Sequence, residues 1–455
     1  MSGMSSAAER AALEALVRGP KFPEREFVRS GRSFAEVYAM AARFREILGS
    51  AAEEDAAVCL GAEDRAVMAA ALLASLGGGP ELLLPYGFSA RALARMQQIT
   101  GFTTAIADVD RDFPGDVQVL GPDLDPVADS VVHLQPDPKA GLLRIFTGGS
   151  TGSPQIWAKT VENIFFEAVF LARHFSITEQ DCILATISPY HIYGLLFSVV
   201  LPLVSGATVI ADTPSFPGEI AGAVREQGAT ILAAVPAHYR ALRETKIEGC
   251  RLRRAVSSAG MLAEADNQAF FSRNGVGIVE VYGSTETGGI ATRNRSLGEN
   301  HFTAFPTVDW KIIKSCLGVR SPYISPDIAL DGDGFFITAD RVETCNSGFL
   351  LKGRADSVTK VGGKRVDLEE IRMLIREQEE VVDCVVLSLP EPGGREHLIA
   401  ALIQGRAVGT DLIKKNLAAR LEPYALPRII KTIDRIPLKE NGKYDRQAIE
   451  RLFLV

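Results

Sequence analysis

The chain alternates short apolar runs with longer stretches of helical pattern. Three runs, at residues 56–60, 229–236 and 275–283, have the length and apolar content of buried strands, and residues 66–76 have the pattern of a helix. Short buried strands separated by helices are typical of mainly parallel sheets that are covered on both faces. The pattern therefore predicts an α/β fold, with Ala-rich helices in the first fifty residues.

The longest apolar segment spans residues 191–211 and contains no charged side chain when His is neutral. Gly194, Pro202 and the Ser205-Gly206 pair interrupt it. We therefore expect a buried helix that ends near Pro202, then a turn and a strand, and no membrane span. Residues 1–20 carry charges and lack the continuous apolar core of a signal peptide.

Composition narrows the class of protein. The 455 residues leave room for two or three structural units, and 47% hydrophobic with 23% charged residues excludes disorder over most of the chain. A net charge of −7 argues against a nucleic-acid partner. The six cysteines lie far apart, without a Cys-x-x-Cys pair, which argues against a zinc site or a disulfide framework and indicates a cytoplasmic protein.

A smaller second unit is predicted to begin after Gly353. Helix-like and strand-like segments alternate there, at 368–378, 381–390, 398–403 and 411–421. The sequence thus predicts a large N-terminal domain of layered, mainly parallel sheets, residues 1–353, and a small mobile α+β domain, residues 354–455.

The charge is divided unevenly between these two domains. Residues 354–455 contain 18 Lys and Arg against 16 Asp and Glu, a net charge of +2, so the first 353 residues carry −9. The excess of basic residues is concentrated from residue 412 onward, with 10 basic against 5 acidic residues. Such a stretch is either an ordinary solvated helix face or a surface that meets an anionic partner.

A loop rich in glycine and hydroxyl side chains follows the strand-like run LLRIF. Residues 146–154 read FTGGSTGSP, and their backbone N–H groups and hydroxyls can surround phosphate oxygens. No Gly-Lys-Ser/Thr closes the loop, so it is not a Walker A loop. Taken alone, it is also compatible with an ordinary Gly/Ser surface loop.

Three further motifs follow in order. Residues 282–288, YGSTETG, come directly after the strand-like VEV, where a carboxylate can hold Mg²⁺ against nucleotide phosphates. Taken alone, this motif is also compatible with a turn capped by Thr and Glu. The third is made of 334–340 (GFFITAD), 353–356 (GRAD) and 360–366 (KVGGKRV), and the fourth is 437–446 (PLKENGKYDR).

In this order and spacing, the four motifs resemble the adenylate-forming superfamily of acyl- and aryl-CoA synthetases, peptide-synthetase adenylation domains and luciferases. The resemblance extends from about residue 142 to 446. Weaker matches at 189–194 (PYHIYG), 234–239 (AVPAHY) and 252–260 fill the interval. It implies attack of a carboxylate on the α-phosphate of ATP, release of pyrophosphate, and transfer of the acyl group to a phosphopantetheine thiol.

The resemblance assigns roles to individual residues. It implies that Thr285 contacts the α-phosphate, that Glu286 holds Mg²⁺, and that Lys443 bridges the acyl oxygen and the α-phosphate as a mobile cation. Asp340 would accept hydrogen bonds from the ribose hydroxyls. The residues implied in ATP binding are Thr147, Gly148, Gly149, Ser150, Thr151, Gly152, Ser258, Ala259, Gly260, Tyr282, Gly283, Asp340 and Arg354.

The thiol step of the family involves rotation of the small domain. Asp356 matches the hinge position, and rotation would replace Lys443 by the loop that contains Gly362 and Gly363. Two glycines let a pantetheine arm approach the backbone closely. Without the family context, Asp356 is a surface acid and the two glycines are a tight turn.

The acid is expected to lie among aromatic and histidine side chains. The implied pocket residues are Tyr190, Tyr193, His238 and Tyr239, with His191 as a gate or carboxylate contact. Such a pocket suits a hydroxybenzoate-like aromatic acid or a short acyl chain. The alternative for each histidine is a packed, hydrogen-bonded core residue.

The chain departs from the family in three places. Gln155 replaces the usual lysine after the phosphate loop, with Lys159 as a possible substitute; Ala339 replaces a glycine; and residues 1–353 are fewer than is usual. The compact size resembles stand-alone ligases that load aryl acids onto separate carrier proteins, so the expected acceptor is a carrier protein or coenzyme A. An adenylating enzyme with a non-thiol acceptor and a non-catalytic nucleotide-binding homologue remain alternatives.

Overall fold

Helices and strands alternate through most of the chain. The computed structural model describes residues 2–49, 57–122, 136–147, 155–345, 347–355, 358–361, 364–390, 397–405, 409–439 and 444–453. Its α-helices are α1 (Ser2–Arg18), α2 (Phe34–Leu48), α3 (Arg65–Leu76), α4 (Ala90–Thr100), α5 (Glu167–His174), α6 (Ile192–Leu195), α7 (Leu201–Ser205), α8 (Pro217–Glu226), α9 (Pro236–Leu242), α10 (Glu264–Asn274), α11 (Leu368–Arg376), α12 (Thr410–Ala418) and α13 (Arg446–Phe453).

The first sheet is parallel except at one edge. Its strands are β1 (Val58–Leu60), β2 (Leu82–Leu84), β3 (Thr104–Ile106), β4 (Gln118–Leu120), β5 (Gly141–Thr147) and β6 (Gln155–Thr160). They lie in the order β4-β3-β1-β2-β5-β6, with β6 antiparallel to β5. Helix α3 is buried along its whole length, as its mostly apolar sequence predicts, and it also buries Arg65 and Ser75.

The second sheet is also mainly parallel, with antiparallel strands at one edge. Its strands are β7 (Cys182–Ala185), β8 (Thr208–Val209), β9 (Ile231–Ala234), β10 (Arg254–Ser257), β11 (Ile278–Ser284), β12 (Gly288–Arg293) and β13 (Thr303–Ala304). Their order is β13-β12-β11-β10-β9-β7-β8, and the pairs from β8 to β11 are parallel. Helices α8, α9 and α10 pack on the apolar side chains of this sheet. The predicted layered α/β architecture is confirmed.

The apolar segment 191–211 forms a longer helix than the sequence predicts. Helix α6, the π-helical turn Leu196–Val200 and α7 run on from Ile192 to Ser205, so the helix passes the predicted end near Pro202. The turn predicted at Ser205-Gly206 and the strand predicted after it, β8, are confirmed. Pro202 is the second residue of α7 and directly follows the π-helical turn, so its missing N–H removes one backbone hydrogen bond from this continuous helix. Among the described residues, no helix is both long and apolar enough to cross a membrane.

Contacts divide the chain into two units. Unit 1 comprises 1–309 and 319–336, and unit 2 comprises 310–318 and 337–455. The sequence-predicted boundary after Gly353 falls inside unit 2, and it stays a prediction. The remaining strands are β14 (Asp309–Ile313), β15 (Cys316–Arg320), β16 (Phe336–Cys345), β17 (Gly348–Arg354), β18 (Val358–Val361), β19 (Lys364–Asp367), β20 (Asp383–Pro390), β21 (His397–Gln404) and β22 (Ile429–Ile433).

Unit 2 is built on small sheets. β14 to β17 form one sheet in sequence order, β18 and β19 form a hairpin, and β20, β21 and β22 form a third sheet. The amphipathic helix α11 packs Ile371 and Ile375 into the core beneath β20 and β21. The α+β alternation predicted for the C-terminal region is therefore present.

Candidate active site

The carboxyl ends of β10 and β11 bring two of the sequence motifs together. β11 continues past the end of β10, and Ser258 Oγ donates to the carbonyl of Val281 at 2.8 Å. The next residue, Ala259, has a φ of 65°. A left-handed backbone costs a residue with a Cβ about 1–2 kcal/mol, and such strain is often found at functional sites. The Ser258–Gly260 segment thus begins beside the strand that carries Tyr282.

Thr285 and Glu286 lie in a tight hairpin turn between β11 and β12. Ser284 pairs with Gly288, which leaves only residues 285–287 in the loop. The Ser284 and Thr287 hydroxyls are 2.9 Å apart, and Ser284 Oγ also accepts the N–H of Thr287. A Cβ on Gly283 would lie 2.4 Å from the carbonyl oxygen of Gly288, so the hairpin requires glycine there. The turn presents the half-buried side chains of Thr285 and Glu286 at the sheet edge.

A buried lysine and a buried glutamate lie under this turn. Lys159 Nζ donates to the carbonyls of Tyr323 at 3.1 Å and Glu286 at 3.4 Å. Glu167 Oε1 accepts the N–H of Gly289 at 2.7 Å. Burial lowers the pKa of Lys159 and raises the pKa of Glu167, and the attraction between the two charges opposes both shifts.

Lys159 does not replace the missing lysine of the phosphate loop. Its side chain is only 1% exposed, and its ammonium group is directed at backbone carbonyls. A cation that contacts pyrophosphate must reach the ligand, so the suggestion that Lys159 substitutes for Gln155 is wrong.

Only the first two residues of the phosphate-loop motif, Phe146 and Thr147, are described. Thr147 is the last residue of β5, and its Oγ1 accepts a hydrogen bond from Trp157 Nε1 at 3.1 Å. β5 and β6 pair from Thr147 and Gln155 onward. The predicted phosphate contacts Gly148, Gly149, Ser150, Thr151 and Gly152 lie outside the described residues.

The three candidate pocket tyrosines are core residues whose hydroxyls are already engaged. Tyr190 donates to the carbonyl of Ala62, Tyr193 to Val256 at 2.8 Å, and Tyr239 to Val256 and Leu232, both at 3.0 Å. All three side chains are buried, and Tyr239 is 0% exposed. These hydroxyls bond to backbone carbonyls, so the three tyrosines offer a neighbouring pocket their rings, and their assignment to the acid pocket stays a prediction.

The two histidines are more accessible. His191 is half-buried at the residue before α6, and His238 is half-buried on α9. His238 Nδ1 lies 2.7 Å from Thr186 Oγ1, at the carboxyl end of β7. Burial lowers the pKa of His238, which favours the neutral ring. His238 is thus a polar group held by the Thr186 hydroxyl.

Asp340 and Arg354 belong to unit 2 and face each other across a strand pair. Asp340 lies on β16 opposite Arg354 on β17, and Arg354 Nη1 is 3.4 Å from Asp340 Oδ1. The Arg354 side chain is 51% exposed and that of Asp340 20% exposed. The two predicted nucleotide contacts of this unit are therefore neighbours.

Four other predicted residues lie outside the described residues: Asp356, Gly362, Gly363 and Lys443. The residue after Lys443 is anchored, since Tyr444 Oη donates to Asp383 Oδ2 at 2.8 Å. Leu438 and Tyr444 also form an isolated antiparallel bridge. The described residues on the two sides of the segment that carries Lys443 are thus paired with each other, and Tyr444 is bonded to β20.

The donor set around Glu286 suits Mg²⁺ better than a transition metal. In the described part of the chain, no group of three or more His, Cys, Asp or Glu side chains could hold a metal ion. Mg²⁺ is commonly bound through one or two carboxylates together with substrate phosphates and water. The half-buried carboxylate of Glu286 beside the Thr285 hydroxyl is compatible with that mode of binding.

The sequence analysis missed the structural role of Lys159 and did not single out Glu167. The available signal was a lysine in the apolar strand-like segment IWAKT, with a glutamate eight residues later in an apolar helical run. Buried charges are rarely left unpaired, so such a lysine predicts an acidic partner. The partner's position beneath residues 285–289 could not be read from spacing.

Curated relatives are acid ligases of limited similarity. A sulfoacetate–CoA ligase of Cupriavidus necator is 26% identical over 342 residues, which cover 68% of this chain and 67% of that protein. The p-hydroxybenzoic acid–AMP ligase FadD22 of Mycobacterium tuberculosis is 27% identical over 344 residues, 67% of this chain. The chain spans only 48% of the length of FadD22.

Solved structures share the fold over nearly the whole chain. ATP-bound MatB from Rhodopseudomonas palustris has a TM-score of 0.83 at 19% identity and covers 98% of this chain and 99% of its own. The O-succinylbenzoate coenzyme A synthetase MenE from Bacillus subtilis, in complex with AMP, has a TM-score of 0.77 at 19% identity, with 97% of each chain covered. At this identity, the likeness establishes the fold.

The family described as AMP-binding enzyme matches residues 16–320, which include the phosphate-loop motif and the turn at 285–287. The match covers two-thirds of the chain and agrees with the order of the motifs. The chain therefore belongs to the AMP-binding enzymes, the adenylate-forming family that its motifs indicate.

Proposed function

We propose that the chain is an AMP-forming acid–thiol ligase. It activates a carboxylic acid with MgATP to an acyl-adenylate, releases pyrophosphate, and transfers the acyl group to a phosphopantetheine thiol. All six cysteines are free thiols, which supports a reducing compartment such as the cytoplasm.

The turn at residues 285–287 carries this proposal. It places a hydroxyl and a carboxylate side by side at the carboxyl end of β11, next to the Ser258–Gly260 segment. In sheets of this type, ligands bind at the carboxyl ends of the strands. Thr285 contacts the α-phosphate and Glu286 holds Mg²⁺, which neutralises charge on the phosphates.

The other nucleotide contacts follow from the family resemblance. Residues 147–152 surround the leaving phosphates, while Asp340 accepts hydrogen bonds from the ribose and Arg354 lies near it. Lys443 bridges the acyl oxygen and the α-phosphate during adenylation.

An aromatic or short acyl acid is the proposed substrate. Relatives named for sulfoacetate, p-hydroxybenzoic acid and indoleacetate indicate acids with a compact or aryl body. His238 supports an aryl acid with a polar substituent, because its half-buried ring, held by the Thr186 hydroxyl, offers a polar group to such a substituent. His191, just before α6, is the proposed gate.

The acceptor is coenzyme A or a carrier protein. After adenylation, the domain of residues 354–455 rotates about Asp356 and brings Gly362 and Gly363 to the thiol. The net charge of +5 from residue 412 onward supports an anionic acceptor, and Lys414 and Lys415 are exposed on α12.

Acid-dependent exchange of pyrophosphate into ATP tests the adenylation step. The wild-type chain is assayed with a panel of aromatic and short acyl acids, together with Lys443→Ala and the matched control Lys439→Ala, an exposed lysine of the same segment. Exchange is expected to fall at least about 100-fold in Lys443→Ala and to stay within about twofold in Lys439→Ala. No exchange with any acid of the panel would favour a non-catalytic homologue.

A second assay identifies the acceptor. With the best acid of the panel, thioester formation is measured on coenzyme A and on a phosphopantetheinylated carrier protein. Thioester on either acceptor supports the ligase. Exchange without any thioester would instead favour an adenylating enzyme with a non-thiol acceptor.

A further inference from the structure

Two buried charged residues outside the sequence motifs lie against the proposed metal turn. Lys159 at the end of β6 is 1% exposed, and Glu167 at the start of α5 is 2% exposed. Both belong to the segment that follows the phosphate loop, and neither reaches solvent. They therefore act on the site, if at all, through the backbone that they contact.

The two side chains hold the β11–β12 hairpin at two points. Lys159 Nζ donates to the carbonyl of Glu286 at 3.4 Å, and Glu167 Oε1 accepts the N–H of Gly289 at 2.7 Å. The carboxylate lies directly against the glycines, since a Cβ on Gly288 would be 2.6 Å from Glu167 Oε2. Lys159 thus makes its contact at Glu286, the proposed metal ligand, and Glu167 makes its contact at Gly289, three positions later.

The same cluster holds a second backbone segment, residues 322–325, against the turn. Lys159 Nζ also donates to the carbonyl of Tyr323 at 3.1 Å, and the N–H of Ser325 donates to the carbonyl of Glu286 at 2.8 Å. Asn163 Nδ2 donates to the carbonyls of Pro322 and Ile324 at 2.7 and 3.1 Å. Two loops that are distant in sequence are thus joined through Lys159 and Asn163.

Stability alone does not call for this arrangement. Removing two charges from water costs several kcal/mol per ion, and apolar side chains of similar volume often serve as well or better. A methionine at position 159 would fill the same space without a charge to desolvate. What methionine lacks is the ammonium group that donates to two backbone carbonyls.

We propose that Lys159 and Glu167 are positioning residues that fix the 285–289 backbone, so that Thr285 and Glu286 are held in the orientation that MgATP requires. This role rests on the proposed function of the turn in binding MgATP. The pair contacts neither substrate nor metal. It determines how much of the turn's conformational freedom must be lost when the ligand binds.

The test compares breakage of this pair with breakage of a buried pair at the other end of the same hairpin. Arg293 and Glu280 form a bidentate pair at 2.9 and 3.0 Å, where β11 and β12 lie far from the turn. Lys159→Met removes the cation nearest the buried carboxylate of Glu167. The control Arg293→Met removes the bidentate partner of the buried Glu280, which keeps a single contact with Arg295 Nε at 3.4 Å. Melting temperature, affinity for MgATP, affinity for ATP in EDTA, and amide hydrogen exchange of residues 284–289 are measured on the full chain.

We expect both variants to have a lower melting temperature than the wild type. Only Lys159→Met should bind MgATP more weakly, by at least about tenfold. Its affinity for ATP in EDTA should change less than about threefold, and exchange at residues 284–289 should accelerate. If Lys159→Met does not fold, Glu167→Gln, which keeps the shape of the side chain, replaces it in the test. This variant should show a smaller loss of MgATP affinity and a smaller acceleration of exchange at residues 284–289. The proposal is overturned if MgATP affinity and amide exchange in Lys159→Met match those of Arg293→Met.

The two hypotheses fail in different ways. If the wild-type chain binds no MgATP, the proposed function fails. The amide-exchange comparison still decides whether Lys159 and Glu167 hold the turn. If the wild type binds MgATP and amide exchange at 284–289 is unchanged in Lys159→Met, the proposed function stands and the positioning role is rejected.

Discussion

The substitution Gly288→Ala probes how closely the hairpin turn is packed on the residues beneath it. Gly288 has a φ of 66°, a backbone region that costs a residue with a Cβ about 1–2 kcal/mol. An added Cβ would also lie 2.6 Å from Glu167 Oε2 and 2.7 Å from Tyr323 Cβ, and both neighbours are fixed by other contacts. Overpacking of this kind lowers the stability by about a further 1–3 kcal/mol.

Gly275→Ala is the matched control. Gly275 has a φ of 71°, at the C-terminal cap of α10, but a Cβ there would have no atom within 4 Å. The two substitutions share the backbone cost and differ in the clash. We expect Gly275→Ala to lower the free energy of unfolding by about 1 kcal/mol and Gly288→Ala by about 3 kcal/mol.

Urea unfolding measures the difference. In a Trp310→Phe background, the fluorescence of Trp157 reports on unit 1 alone, because these are the two tryptophans of the chain. Gly288→Ala should also reduce ATP–pyrophosphate exchange, since it displaces the turn, whereas Gly275→Ala should not. Equal loss of stability in the two variants would refute the inferred close packing of Glu167 and Tyr323 against the turn.

Three further outcomes are expected. Tyr239→Phe should lower the free energy of unfolding by about 1–2 kcal/mol in urea titrations, because buried carbonyls lose their donor, and an unchanged value would contradict this. Asp340→Asn should raise the KM for ATP in exchange assays. It should lower the free energy of unfolding by less than about 1 kcal/mol, because the ion pair of Asp340 with Arg354 is partly exposed. A large loss of stability would argue for a structural role. Burial lowers the pKa of His238, so its stabilising contribution is complete above the unfolded value of about 6.5 and is lost as the pH falls. Replacement of His238 by Gln should therefore reduce the drop in melting temperature between pH 7 and pH 5, and an unchanged drop would show that other groups cause it.

Local patterns predicted most of the fold. Three apolar strand predictions, 56–60, 229–236 and 275–283, correspond to β1, β9 and β11, because short buried strands are defined by neighbouring residues. The end of the 191–211 helix was misjudged. The proline there lies in a first turn after a π-helical stretch, a context that proline alone does not reveal.

The candidate site was predicted less completely. Sequence motifs located Thr285 and Glu286, whose neighbours along the chain determine the hairpin turn that carries them. The sequence did not reveal that the hydroxyls of the candidate pocket tyrosines bond to backbone carbonyls. Whether a hydroxyl faces a ligand or a backbone carbonyl depends on residues from other elements, such as Val256 for Tyr193.

The sequence by itself determined the α/β alternation, the order of the motifs and hence the family, since all of these depend on residues close together along the chain or on short strings of fixed identity. Only the tertiary structure decided that Lys159 is a core residue under the turn and not a phosphate contact. Lys159 and Glu286 are separated by 127 positions, and Glu167 and Gly289 by 122. Packing of the two sheets brings them together, because a buried charge is stable only where the fold supplies carbonyls and an opposite charge to receive it.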